Sequence, residues 1–173
     1  SPRKHTIQIT FSTGYTDLAV GEFTIDLSEM NTETLLANAE KASTNAQTNW
    51  AKNMKLPEEF SSTTQSFKDS ELSQANMKKI LKEKWTNCAE ITKLIVLGDG
   101  TADDWYVYKN DWDLPTHKAT MPNIIAVYKG KDGWCYFVED IVFMREYLGG
   151  GTYSKIKFFC DGYHTKIDCK NVK

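Results

Sequence analysis

The sequence predicts an α+β domain: two helices packed on a strongly curved antiparallel sheet, preceded by an N-terminal β-hairpin. Three patterns lead there. Apolar residues alternate at period two over 1–27, recur at steps of three and four over 31–88, and alternate again between glycine-rich turns over 91–169. The 173 residues fit a single domain spanning 1–173, because domains typically run to about 100–200 residues. A chain of that length can bury a real core without relying on staples.

The first strand places Ile7, Ile9 and Phe11 on one face, and Thr13-Gly14 supplies a turn. A second strand follows, in which Phe23, Ile25 and Leu27 alternate. Helical spacing then takes over. Asn31 or Thr32 caps the start, and Glu33 stands favourably in the first turn. Leu35, Ala39, Ala42, Ala46, Trp50 and Met54 make one apolar stripe, and Pro57 ends the helix. A Ser/Thr-rich loop covers Phe60–Lys68. Asp69 or Ser70 caps the second helix, whose stripe is Leu72, Met77, Leu81, Trp85 and Cys88, with Ile80 beside it.

Residues 91–97 form an apolar strand closed by Gly98-Asp99-Gly100, and Trp105–Lys109 an aromatic one. Asn110–Pro122, broken by Pro115 and Pro122, reads as a long connection. Asn123–Lys129 and Trp134–Tyr147 are strands joined at Gly130-Lys131-Asp132-Gly133, a good hairpin signal. Gly149-Gly150-Gly151 marks the next reversal, before a strand over Tyr153–Cys160. Asp161-Gly162 offers a tight turn into a last segment, Tyr163–Cys169. Within the long strand, Glu139-Asp140 interrupts the alternation of Trp134, Tyr136 and Val138 with Ile141, Phe143 and Arg145. An acidic pair there predicts a bulge or bend, and long bent strands make a curved sheet with a concave face. In element order, residues 33–170 resemble the cystatin-like and nuclear-transport-factor-like folds, whose helices pack into a cone-shaped sheet. The inhibitory Gln-x-Val-x-Gly loop of cystatins is absent, and fold alone does not imply function.

Composition narrows the function classes. Hydrophobic residues make up 40% and charged residues 25%, the balance of a globular chain. The 21 basic and 23 acidic side chains are interspersed, for a net charge of −2. A protein held by phosphate contacts carries a basic stripe or patch, so nucleic acid is not the expected partner. Nor is there an apolar run of the roughly 18 residues that would cross a bilayer, and the chain reads as soluble. The start Ser1-Pro2-Arg3-Lys4 reads as that of a mature or trimmed chain. Four cysteines, Cys88, Cys135, Cys160 and Cys169, lack the paired spacing of a zinc site. Their even number predicts disulfides and an oxidising, extracytoplasmic location. Of the three possible pairings, Cys160–Cys169 with Cys88–Cys135 is the one expected. Without an Asn-x-Ser/Thr sequon, the reading leans to a bacterial exported protein.

Few constellations carry chemistry. Asp99, Thr101 and Asp103 have alternate spacing suited to calcium, but the glycine and glutamate of an EF-hand loop are replaced by Asp104 and Asn110. A solvated turn accounts for the segment. His5, His117 and His164 have no ligand-spaced partners, and no metal or other cofactor is expected. Cys135, among Trp134, Tyr136 and Phe137, lies in an apolar setting that favours a core or disulfide role over a nucleophile's. Glu139 or Asp140 near Tyr136 would be the carboxylate pair of an acid/base enzyme, if burial raised one towards neutral pH.

Aromatic residues give the strongest signal. Trp105, Tyr106, Tyr108, Trp112, Trp134 and Tyr136 gather in the central strands and their connection. Large aromatics with polar tips serve ligand pockets and interfaces as well as cores. Trp112, flanked by Asp111 and Asp113, is hardest to bury; with Trp105, Tyr106, Trp134 and Tyr136 it forms the expected contact set. The sequence therefore points first to an exported, non-catalytic domain binding a small ligand or a protein through a concave sheet face or aromatic loop. An acid/base enzyme with a carboxylate in the cone and a structural component of a surface assembly are the alternatives.

Overall fold

The computed structural model describes residues 4–13, 16–26, 32–56, 67–97 and 104–172, giving the backbone alone for 4–26. The expected acidic turn at 98–103, the loop at 60–66, and Leu27 and Pro57 lie outside the described residues. Within 1–173 the chain is organised as two compact units, Ser1–Pro57 with Lys170–Lys173, and Glu58–Cys169. The class is α+β, with two helices and antiparallel sheets.

In the first unit, β1 (Lys4–Thr13) and β2 (Thr16–Asp26) form the expected hairpin, with Ile7 opposite Phe23 and His5 opposite Ile25. Helix α1 (Thr32–Asn53) packs along β2. Of its predicted stripe, Ala46 and Met54 are buried, and Ala39, Ala42 and Trp50 are half-buried. A helix leaves its last four carbonyls without intrahelical donors. Asn171 meets two carbonyls at this end of the chain, its Nδ2 donating to Lys52 O at 2.7 Å and Met54 O at 2.8 Å.

The second unit begins with a 3₁₀ turn at Ser70–Leu72, capped by Asp69, whose carboxylate accepts the Glu71 N–H. Helix α2 (Gln74–Lys84) follows, with Ser73 accepting the Asn76 N–H at its start. The helix is shorter than its apolar stripe predicts. Trp85 has left helical geometry, at φ −84° and ψ 101°, and Cys88 opens a strand. The irregular start of β3 keeps a spacing of three, with Cys88, Ile91 and Leu94 buried and the register shifting between them, so the pattern of a helix runs on into the strand.

The strands of this unit are β3 (Cys88–Val96), β4 (Tyr106–Lys109), β5 (Pro115–Thr120), β6 (Ile124–Gly130), β7 (Cys135–Val138), β8 (Val142–Gly149), β9 (Thr152–Tyr153), β10 (Lys157–Cys160) and β11 (His164–Ile167). One sheet has the order β11-β7-β6-β3; the other runs β10-β8-β5-β4, with β9 added on β8. The two orders match in step. β5 leads into β6, β7 into β8 and β10 into β11, so the two sheets are halves of one antiparallel meander bent across its middle.

The bends have local causes. Glu139-Asp140 breaks the long strand as expected, Asp140 adopting φ +52°. Pro122, which has no N–H for a ladder, marks the bend between β5 and β6, where the Ile124 N–H bonds Pro122 O at 2.8 Å. The third bend, at Asp161-Gly162, nests against the first: the Gly162 N–H donates to Glu139 O at 3.1 Å. A Cβ on Gly162 would lie 3.0 Å from that oxygen and 3.4 Å from Asp140, a tight fit that any larger residue would relieve only by a small shift of the corner. Asp161-Gly162 is therefore a corner that passes the chain from one half-sheet to the other, not the expected tight reversal. Gly149, Gly150 and Gly151 do make the reversal predicted for them, all three at positive φ.

Helix α2 lies in the angle between the half-sheets. Leu72, Met77, Leu81 and Trp85 share a core with Leu94, Ile124, Ala126, Tyr128 and Val138 of one half and Ile141, Phe143 and Ile156 of the other. The concave face, expected as a free binding surface, is thus filled by α2. Arg145 ties the helix approach to the sheet. Its guanidinium pairs with Asp69 at 2.8 Å and Glu71 at 2.9 Å, and donates to Ser154 O. Burial works against ionisation of Asp69, but the Glu71 N–H and Arg145 outweigh it and hold this carboxyl below its usual range.

One disulfide is present, Cys135–Cys169, and the expected pairs Cys160–Cys169 and Cys88–Cys135 are corrected. Ile167 is registered opposite Cys135 on adjacent strands, which brings Cys169 alongside. Cys160 is registered opposite Val142 on the other half-sheet, whereas Cys169 lies beside Cys135, so these two thiols are not brought together. Cys88 is a buried free thiol and Cys160 an exposed one. Among the described residues no helix is long and apolar enough to cross a membrane.

Candidate functional site

The β10-β8-β5-β4 half-sheet sorts its side chains by strand alternation. One set of cross-strand rows, Val107–Lys118–Arg145 and Thr120–Phe143–Phe158, lies on the face carrying the core residue Phe143. The intervening rows, Tyr106–Ala119–Met144–Lys157 and Tyr108–His117–Glu146, lie on the opposite face. The outer face is aromatic and open. Tyr106 is 69% exposed and Tyr108 50%. Tyr108 stacks on His117 with ring centroids 4.6 Å apart and planes within 4°, and Phe159 extends the cluster at 5.7 Å from His117. Thr116 holds the imidazole from its other side, with Oγ1 3.0 Å from His117 Nδ1.

Ala119, flanked across the strands by Tyr106 and Met144, is too small to fill the space between them. A hollow of about 380 Å³ results, lined by Asp104, Tyr106, Tyr108, Ala119, Met121 and Val142 and by part of Thr120. The surface inside is mainly apolar. The charges farther along the face are paired, Lys157 with Glu146 at 2.5 Å.

Trp112 stands at the tip of the β4–β5 hairpin, 78% exposed. The predicted long connection is in fact this turn followed by a strand. Asn110 closes it, its Oδ1 accepting the N–H groups of Trp112 at 3.1 Å and Leu114 at 3.0 Å. Asp113 takes φ +61° and pairs with Lys109 at 2.9 Å. Pro115 is tolerated because it is the first residue of its strand.

The remaining members of the expected contact set lie elsewhere. Trp105, next to Tyr106, turns to the other face, half-buried, with Lys118 at 5.0 Å and the Arg145 guanidinium at 5.2 Å from its ring. Trp134 belongs to the other half-sheet, under the Lys166 ammonium at 4.4 Å. Tyr136 stacks on Tyr128 at 5.1 Å and donates to Asp132. Burial, then the hydrogen bond to the Asp132 carboxylate, pushes Tyr136 up to about 12. Tyr106 and Trp112 thus belong to the open region around the β4–β5 hairpin, while Trp105, Trp134 and Tyr136 do not. His117, Met121 and Phe159 were not expected as contact residues from the sequence. The alternation of His117 with Ala119 is the signal that could have found the first, but Pro115 and Pro122 disguised the strand.

Two other groupings of polar side chains resemble catalytic arrangements. Tyr128 Oη lies 2.9 Å from His164 Nδ1, His164 Nε2 lies 3.1 Å from Asp161 Oδ2, and that oxygen accepts the Trp85 indole N–H at 2.5 Å. This chain has the order of an acid-base relay, yet Tyr128 is only 2% exposed, and burial, then Tyr136, raises it to about 12. A phenol so protonated and so enclosed cannot meet a substrate; the network ties the end of α2 to the corner. Glu139 is half-buried, and burial, then Asp140, raises its pKa, while Asp140 is exposed. Neither lines the hollow beside Tyr106. Among the described residues no group of three His, Cys, Asp or Glu side chains is arranged to hold a metal ion.

No family model, curated protein or solved structure matches the chain. The likeness to cystatin-like and nuclear-transport-factor-like cones therefore stays one of element order, and the functional reading rests on the geometry itself.

Proposed function

We propose that the protein is an exported, non-catalytic binding domain that contacts a small ligand or a protein through the outer aromatic face of the β10-β8-β5-β4 half-sheet. The observation that carries this reading is the hollow beside Tyr106, open to solvent and walled by aromatic and apolar side chains. Exposed contiguous apolar surface on a folded domain marks interaction sites, and tyrosine is enriched there because its ring and hydroxyl serve apolar and polar contacts together. The Cys135–Cys169 disulfide is compatible with an extracytoplasmic location.

A panel of small neutral aromatic and aliphatic fragments, titrated into the ¹⁵N-labelled chain, tests the reading. Amide shift changes should concentrate at Tyr106, Tyr108, Ala119 and Met121, and Tyr106→Ser with Tyr108→Ser should abolish them. Fragments that shift only residues elsewhere would refute it. Assembly at a surface is the second reading, supported by β4, which among the described residues is an edge strand and whose four residues are all exposed. Its short length and Lys109 are, however, features that discourage strand addition.

A further inference from the structure

We propose that the hollow beside Tyr106 receives an alkylammonium group: a positively charged nitrogen carried on an apolar stem. This rests on the binding reading above and specifies its ligand. The faces of aromatic rings carry negative partial charge and attract organic cations. Here two tyrosines stand beside a carboxylate, Asp104, which is exposed and has no ion-pair partner among the described residues. No basic side chain is among the described residues lining the hollow. Nearby charges are engaged elsewhere: Lys109 with Asp113, Lys157 with Glu146, and Lys118 over the Trp105 and Tyr153 rings. An anion would meet Asp104 directly and gain nothing from the ring faces. A purely apolar ligand could use the hollow but would leave the carboxylate unpaired and so bind less tightly than a cation of the same shape. Ala119, Met121 and Val142 make the rest of the hollow apolar. These same three side chains suit the methylenes or methyls of an ammonium ligand.

The charge complementarity admits two sources that share this chemistry, a free small alkylammonium compound or the lysine side chain of a peptide. Choline, its neutral carbon isostere 3,3-dimethyl-1-butanol, and N-acetyl-lysine methylamide are titrated separately into the ¹⁵N-labelled chain, following the amides of Tyr106, Ala119 and Met121. At least one of the two cations should bind saturably there, roughly three- to fivefold more tightly than the alcohol, as exposed cation–π and carboxylate contacts allow. Choline alone identifies a small ligand and the lysine derivative alone a peptide; either supports the inference. Asp104→Asn and Tyr106→Leu should each reduce the cation to the level of the alcohol. Both positions are exposed, so neither change threatens the fold. If the alcohol binds as tightly as the cations, or Asp104→Asn leaves the preference unchanged, the cation inference falls and the aromatic face remains a binding surface. If none of the three compounds shifts these amides and the neutral fragments do not either, both readings fall.

Discussion

At the scale of single residues, adjacent positions have opposite fates. Trp105 and Tyr106 are neighbours, yet one is held between cations against the inner face and the other is open to solvent. The alternation separating them is readable from sequence; which face would be covered is not. Glu139 shows how position sets ionisation. Burial first, and Asp140 second, raise its carboxyl above the ordinary 4.5. A folded-state pKa above the unfolded one means that the favourable contribution is complete below pH 4.5 and is lost as pH rises through the folded value. Ionised Glu139 therefore weakens the fold at neutral pH. Glu139→Gln should raise Tm at pH 7 by about 1 °C and should lose that advantage at pH 4; equal melting at both pH values would contradict the argument. The thiols differ as sharply. Cys160 is exposed, whereas burial raises Cys88 and keeps it protonated. In the native protein a thiol reagent should modify Cys160 rapidly and Cys88 only on unfolding.

At the scale of elements, the informative units are the β4–β5 hairpin and the approach to α2. The hairpin was hidden because Pro115, Pro122 and a polar middle, Thr116–Thr120, carry none of the apolar weight that reveals a strand. It pairs on both sides all the same, since β5 lies between β4 and β8. The approach to α2 is held by Asp69 and Glu71 on Arg145, residues 76 apart in sequence for the Asp69 contact, a pairing that no local pattern announces. Asp69 has a folded pKa below 3.8, so its contribution is complete above the unfolded value and is lost as pH falls through the folded one. Asp69→Asn should destabilise the protein at pH 7 by about 1–2 kcal/mol, the worth of a partly exposed charged hydrogen bond. The difference from wild type should close on acidification below about pH 4. A gap that does not narrow at all as pH falls below 3.8 would mean that ionisation of Asp69 is not its source.

At the scale of the molecule, the disulfide and the bent meander belong together. The Cys135–Cys169 link closes a loop of sequence separation 34, for which the chain-entropy model gives about 4 kcal/mol. Cys135→Ser with Cys169→Ser should therefore lower stability by about 2–4 kcal/mol in denaturant unfolding; a loss well below 1 kcal/mol would place the constraint elsewhere. Thiol titration of the denatured, unreduced protein should find two free thiols, and four would remove both the bond and the case for an oxidising location. By itself the sequence determined the α+β class, the hairpin at the start, the bend at Glu139-Asp140 and the turns at Gly130–Gly133 and Gly149–Gly151, because each depends on periodicity or on backbone geometry confined to a few neighbours. The tertiary structure alone decided that α2 fills the concave side, that Cys169 meets Cys135 and not Cys160, and that Tyr106 and His117 face solvent while Trp105 and Tyr136 turn inward. Those outcomes depend on strand register and on which face the helix covers. Both are set by contacts between residues far apart in the chain, and their energies leave no mark on the local pattern.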